Sequence, residues 1–373
     1  MCPLKNRKAQ ADKTRVTHPW LTSGVERLLL GLRPQQSRRL SPRERAVEGV
    51  AAGGALLAAL PYWINDLYQL HLAALIGTYW VLIAGLNLVV GFAGQLSIGH
   101  VGLLAIGAYC FAILAGKLGL NPELALAAAG GLGALCGLLF GLPSLRLPGF
   151  YFAMATLAFS LIVSELSLAQ HGLTGGGIGL AVPGFSPPFD TPWGLYWLAL
   201  ILAAAVTWAT WNVARLMWGR ALVSVRDSPV AAAAVGVPIY RLKLTVFVFS
   251  GLTAGVAGAL FASLQSYITP DTFPFDIGLF FFVCIVIAGR GGILGPFVGT
   301  VILTALPELV APLAKLGTFF YGLLLLVVVL LVPEGIGRLF EIVVERLRPR
   351  RLEHRVIEPD LAKLAAAIRG SRP

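Results

Sequence analysis

Between residues 46 and 332 one apolar run follows another, each near the ~20 residues that a bilayer core demands of a helix, with short loops between them. That pattern leaves a chain few choices. In lipid every backbone N–H and C=O must be paired internally, and runs of this length can do so as helices. Composition agrees: 57% of residues are hydrophobic and 13% are charged, against about 25% charged in a soluble domain. Mean hydropathy is +0.79. The expected fold is all-α, a polytopic transmembrane bundle of about ten spans. These are placed at 46–64, 70–90, a third ending near Ala115, 122–142, 150–169, 193–214, 244–265, 277–288, 297–311 and 317–332. The two short spans in 277–311 have re-entrant segments as their alternative.

Charge then orients the bundle. Residues 1–50 hold 11 of the 29 Lys and Arg and residues 333–373 hold 9, so the excess sits in the tails. That is the pattern of cytoplasmic retention and anionic lipid headgroups, not of nucleic acid. With the N-terminus in the cytoplasm, Arg146, Arg215, Arg220, Arg226, Arg241, Lys243 and Arg290 fall inside, while Lys117 and Lys315 fall outside. The domain expectation is a basic cytoplasmic arm at 1–45, a transmembrane domain at 46–332, and a cytoplasmic tail at 333–373. In that tail Leu339, Ile342, Val343 and Leu347 mark an amphipathic surface helix. The arm has no apolar core directly behind a short charged region, so no cleavable signal peptide is expected.

Three stretches break the apolar pattern. From Gly85 to Tyr109 the chain reads GLNLVVGFAGQLSIGHVGLLAIGAY, with polar Asn87, Gln95, Ser97 and His100 among glycines that include Gly91, Gly94 and Gly99. Such a span either lines a pathway, because broken helices survive in membranes only against protein or a water-filled cavity, or packs helices closely. His100 is expected to hydrogen-bond across helices, and Gln95 and Ser97 to cap freed backbone. The second stretch is GRGGILGPFVG at 289–299, with Gly291, Gly292, Gly295 and Pro296. Glycine interruptions in both halves of a chain point to a transport path between pseudo-repeats. The third stretch, RALVSVRDSPVAAAAVGVPIYRLK at 220–243, is polar at both ends. It carries a short helix at Ala231–Val235 between Pro229 and Gly236, suited to docking a cytosolic partner or to serving as a plain connection.

These segments, with LRLPGFYFAMATLAF at 145–159, LTGGGIGL at 173–180 and GRALVSVRDSPVAAAAVGV at 219–237, resemble the membrane subunits of ABC importers for branched-chain amino acids. YFAMATLAF and the basic arm favour the M-type (LivM-like) subunit, and the resemblance covers roughly 70–337. It implies a bacterial inner-membrane permease with both termini cytoplasmic. Its implied partners are a second homologous permease, two ATP-binding cassette subunits and a periplasmic substrate-binding protein. The glycine interruptions place the expected translocation path along Asn87, Gly91, Gly94, Gln95, Ser97, Gly99, His100, Tyr109, Gly291, Gly292, Gly295 and Pro296. The resemblance also implies ATPase coupling through 220–237, with Arg220, Arg226, Asp227, Ala231, Ala232 and Gly236. Val230 and Ala233 stand where such permeases commonly carry an acidic residue beside the two alanines, and Asp227 or Arg226 is the substitute. Arg290 is a second departure, and its side chain is expected to reach the cytoplasmic boundary.

No catalytic residues, cofactor or metal site are expected. The chain has no G-x-x-x-x-G-K-[ST] phosphate loop, no H-E-x-x-H and no paired cysteine spacing. The alternative reading is an ion-coupled secondary amino acid transporter, which would need ionisable residues at mid-membrane depth. An intramembrane enzyme is disfavoured because no acid, base and nucleophile set is present.

Overall fold

The computed structural model describes residues 66–147, 149–288, 292 and 295–310. The arm, the first and tenth spans, the tail, Arg290, Gly291 and the side chain of Glu308 lie outside the described residues.

Local chemistry sets the helix starts. Helix α1 (Leu67–Asn87) begins where an Asp66 carboxylate oxygen accepts from the Tyr68 N–H at 3.1 Å, and a π turn (Leu88–Phe92) prolongs it. Helix α2 (His100–Phe111) runs on through a π segment (Ala112–Lys117). Helices α3 (Pro122–Ser144) and α6 (Pro192–Arg215) start with proline behind the capping side chains of Asn121 and Thr191. Proline suits that position because its missing N–H would have had no helical partner there. Between them lie α4 (Gly149–Ala169), the single turn α5 (His171–Thr174) and the two-residue strand β1 (Leu180–Ala181). Then follow α7 (Met217–Asp227), α8 (Pro229–Ala234), α9 (Ile239–Gln265) and strand β2 (Tyr267–Ile268). A 3₁₀ turn (Pro270–Thr272), α10 (Phe275–Ala288) and α11 (Gly295–Val310) complete the described chain. Pro143, expected in the turn after its span, lies inside α3, and the turn falls at Leu145–Leu147.

Six of these helices are long and apolar enough to cross a bilayer: Leu67–Phe92, His100–Lys117, Pro122–Ser144, Gly149–Ala169, Pro192–Arg215 and Ile239–Gln265. They correspond to the second through seventh expected spans. The described parts of the eighth and ninth, α10 and α11, have 14 and 16 residues. At 1.5 Å per residue they reach about 21 and 24 Å, short of the ~30 Å hydrocarbon core.

Helix α9 is the hub. Its Gly251 and Gly255 meet Gly130, Gly133 and Gly137 of α3, and its Gly258 meets Leu104 and Gly107 of α2. Lipid offers no hydrophobic drive to join helices, so close backbone approach through small residues is what holds them. The glycine spacings visible in the sequence are thus two faces of one contact. Apolar side chains on the far faces of α3, α4 and α6, such as Leu139, Ile162 and Trp208, are exposed, as expected of lipid-facing surface.

The bundle has two distinct ends. At one, β1 pairs antiparallel with β2, and the Tyr267 hydroxyl donates to the Ile178 carbonyl. There Lys117 Nζ donates to the carbonyls of Gly172 (2.9 Å) and Leu173 (2.6 Å), and Ser186 donates to Glu123 (3.3 Å). At the other, α7 lies beside the end of α1 and is followed by α8, and the Tyr240 hydroxyl donates to the Leu142 carbonyl at 2.6 Å.

Candidate functional site

The break between α1 and α2 is a stretch of non-helical backbone, largely buried and not a loop in solvent. After Ala93 the chain turns through Gly94, whose φ of +69° belongs to the region glycine adopts freely. It then runs without helical structure to Ile98 before α2 starts at His100. Gln95, Ser97 and Gly99 on this stretch are buried. Non-helical backbone at membrane depth must be sheltered and paired, and here the partners come from the end of α1 and from α4. Gln95 N–H donates to Val89 O at 3.0 Å, and Ile98 N–H donates to Thr156 Oγ1 of α4 at 3.2 Å. A Cβ on Gly99 would strike the Thr156 carbonyl, so glycine is required for this approach.

His100 closes the stretch. Its Nδ1 lies 2.8 Å from Ser97 Oγ and its Nε2 lies 2.8 Å from Ser250 Oγ of α9. The ring also meets Phe247 edge-on, with centroids 5.6 Å apart. One imidazole therefore fastens the non-helical stretch to the hub helix, with Ser97, His100 and Ser250 all fully enclosed. This corrects the expectation that Ser97 and Gln95 cap freed backbone. Ser97 bonds the His100 ring, Thr156 serves Ile98, and Gln95 Oε1 has no partner among the described residues. Thr156 and Ser250 were not singled out from the sequence. Each is a small polar residue in an apolar run, but its partner lies 58 or 150 positions away.

The other expected path residues form separate groups. Asn87 Nδ2 donates to the Gly292 carbonyl at 2.8 Å, which ties the end of α1 to a point between α10 and α11. Gly295 and Pro296 open α11, where Thr300 Oγ1 donates to the Pro296 carbonyl at 2.6 Å, and the neighbouring Phe297 packs on Trp80. Tyr109 stands apart, about 14 Å along α2 from His100. Its ring meets Phe273, and its buried hydroxyl has no partner among the described residues. There it lines a cavity with Ser160, Ser164 and Ser167 of α4 whose roughly 10 Å³ is about the room one water needs. Gly91 and Gly94 form a third group with Arg226.

The segment at the opposite side of that group folds as two helices. Gly219 lets α7 turn sharply off α6, since a Cβ there would strike the Ala214 carbonyl, and Leu222 and Val225 bury one face of α7. Ser228 caps α8 by accepting from the Ala231 N–H at 3.3 Å, with Pro229 in the first position. Gly236, at φ +82°, follows the end of α8. Ala232 is buried, but Val230 and Val235 are 82% and 78% exposed. Arg220, Asp227, Ala231 and Gly236 are exposed as well. Arg226 turns the other way: its Nη1 donates to the Gly91 carbonyl at 2.8 Å, and its Nε lies 3.2 Å from Asp227 Oδ1.

Similarity to known proteins agrees with this architecture. The family model described as "Branched-chain amino acid transport system / permease component" matches residues 69–331. The high-affinity branched-chain amino acid transport system permease protein LivM of Escherichia coli (strain K12) is 32% identical over 308 residues, covering 75% of this chain and 72% of its own. The fructose import permease protein FrcC of Rhizobium meliloti is 26% identical over 268 residues, covering 68% and 71%. A probable LivM of Methanocaldococcus jannaschii is 24% identical over 260 residues, covering 60% and 75%. No solved structure matches. With the family match spanning most of the chain and six membrane-length helices in place, the protein belongs to the permease family of the branched-chain amino acid transport systems.

Proposed function

We propose that this chain is one permease of an ATP-driven importer for a branched-chain or related amino acid, and forms half of the translocation path beside a second related permease. Its α7–α8 segment receives the stroke of two cytosolic ATPase subunits, and its β1–β2 end receives substrate from a periplasmic binding protein. The observation that carries this reading is α8, an apolar helix surface set out from the membrane body. Val230 and Val235 project from it, and no described part of the chain covers them. The charge supports the sidedness. Arg146, Arg215, Arg220, Arg226, Arg241 and Lys243 lie toward the α7–α8 end, whereas Glu123, Asp190 and Asp271 lie toward the other with Lys117, as positive-inside placement requires. Both chain termini are accordingly cytoplasmic.

ATP shifts such a permease between outward and inward states only if the ATPase binds the two states differently. The α7–α8 segment is where that difference acts, and the Gly91–His100 stretch directly above it is the part of the path within reach. The ion-coupled alternative finds less support, because no Asp, Glu, Lys or Arg is buried among the described residues.

The test is purification of the tagged chain from its native membrane. An ATPase is expected to co-purify, with hydrolysis that rises when a binding protein loaded with amino acid is added. Deleting 229–234 is expected to release the ATPase and leave membrane insertion intact. An ATPase retained by the deletion variant would overturn the docking assignment.

A further inference from the structure

Arg226 belongs by sequence to the segment assigned to docking, yet its side chain faces the membrane body. The last carbonyls of a helix have no partner of their own, and a cation suits that end of the helix dipole. Arg226 Nη1 takes the Gly91 carbonyl at 2.8 Å in the final π turn of α1. Asp227 Oδ1, 3.2 Å from Nε, fixes the plane of the guanidinium. Both side chains of that ion pair are part-exposed, 31% and 63%, so its role is orientation and not stability. The stem of Arg226 fills the space beside Gly94: a Cβ on Gly94 would stand 2.6 Å from Arg226 Cγ. Three residues on, Ser97 is bonded to His100, and His100 to Ser250 of the hub helix.

We infer that Arg226 is a positioning residue that transmits movement of the ATPase-facing helices to the buried break between α1 and α2, and does not itself dock the ATPase. The division of labour is spatial: α8 presents the docking surface, and α7, through Arg226, grips the point where α1 ends and the non-helical stretch begins. A shift of α7 is carried to Gly91 and Gly94 by a charge-assisted hydrogen bond and a packed stem, and on to Ser97 and His100 by the chain itself. This inference rests on the reading of α7–α8 as the coupling segment.

The experiment uses the assembled transporter in liposomes and measures amino acid imported per ATP hydrolysed, together with ATPase co-purification. Arg226→Met keeps the stem and removes the donors. The ATPase is expected to stay bound while import per ATP falls about tenfold, a usual size for coupling between sites. Arg226→Lys, with one donor on a stem of similar reach, is expected to recover part of the loss. Gly94→Ala is expected to lower the ratio from the opposite side, by displacing the stem and by straining a φ of +69°. The double variant Gly94→Ala with Arg226→Ala is then no worse than the more severe single variant, because both break one contact. This pair carries the test even where Arg226→Met does not insert.

A wild-type ratio in Arg226→Met would overturn the inference, as would additive losses in the double variant. Release of the ATPase from Arg226→Met would also overturn it and make Arg226 a docking residue. Failure of the 229–234 deletion to release the ATPase is a different result, which strikes the docking assignment itself.

Discussion

The contact between α3 and α9 gives a sharp test of how this bundle is held. A Cβ added at Gly251 would stand 2.5 Å from the Gly133 carbonyl oxygen, 3.2 Å from its carbon and 3.3 Å from Gly137 Cα. The usual floor for carbon against a carbonyl oxygen is about 3.3 Å, so Gly251→Ala must drive the helices apart by about 0.8 Å or bend one of them. The obstacle is backbone and cannot rotate away. Overpacking of this kind costs about 1–3 kcal/mol, while the better helix propensity of alanine returns up to ~1 kcal/mol, leaving a net loss of about 1–2 kcal/mol. Gly131, one helix away, is the control. It is exposed, and a Cβ there would meet nothing within 4 Å, so Gly131→Ala is expected to be neutral or stabilising by up to ~1 kcal/mol. Reversible unfolding in mixed micelles with increasing denaturing detergent measures both. Adding Gly133→Ala to Gly251→Ala should cost less than Gly133→Ala alone, since the same two helices have already separated. Equal stability of Gly251→Ala and Gly131→Ala would refute the close-packing account.

Other substitutions test the site. His100→Leu removes both hydrogen bonds of the buried ring at similar volume, and is expected to destabilise by about 1–2 kcal/mol on the same scale. A double-mutant cycle with Ser250→Ala should show a coupling of about 0.5–1.7 kcal/mol. Asn87→Leu leaves the Gly292 carbonyl without its side-chain donor, so amide exchange in the first turns of α11 should speed up while α3 and α9 remain protected. Val230→Asp, at an 82% exposed position, should change the stability of the chain by less than ~0.5 kcal/mol. It should weaken ATPase binding about tenfold or more by putting a charge into an apolar contact.

Much of the fold was legible because lipid restricts what apolar runs can be. The proline starts at Pro122, Pro192 and Pro229 mark real helix beginnings, each with its capping residue just before it. Gly133 and Gly137 in α3, and Gly251 and Gly255 in α9, recur at the four-residue interval that suits close packing, although which helices meet depends on partners more than a hundred residues apart. The interruption at Gly94–Ile98 was visible as glycine and polar content. How it is held was not, because Thr156 and Ser250, which supply partners for Ile98 and His100, come from other helices. Arg226 shows the limit most plainly. The family resemblance placed it among the coupling residues, but the direction of its side chain is set by the free carbonyl of Gly91 and the bare surface of Gly94, 135 and 132 positions away. A strand pair as short as β1–β2 left no periodicity to read, since two residues do not show an alternation.

The most direct test of the proposed activity is uptake by purified protein in liposomes. The full assembly, with ATP on the α7–α8 side and a loaded binding protein on the other, is expected to accumulate a branched-chain or related amino acid. A sugar panel serves as the comparison, given the similarity to a fructose import permease. Accumulation should stop without ATP, and this chain alone should move nothing on a proton or sodium gradient. Uptake by the chain alone, driven by such a gradient, would contradict the account.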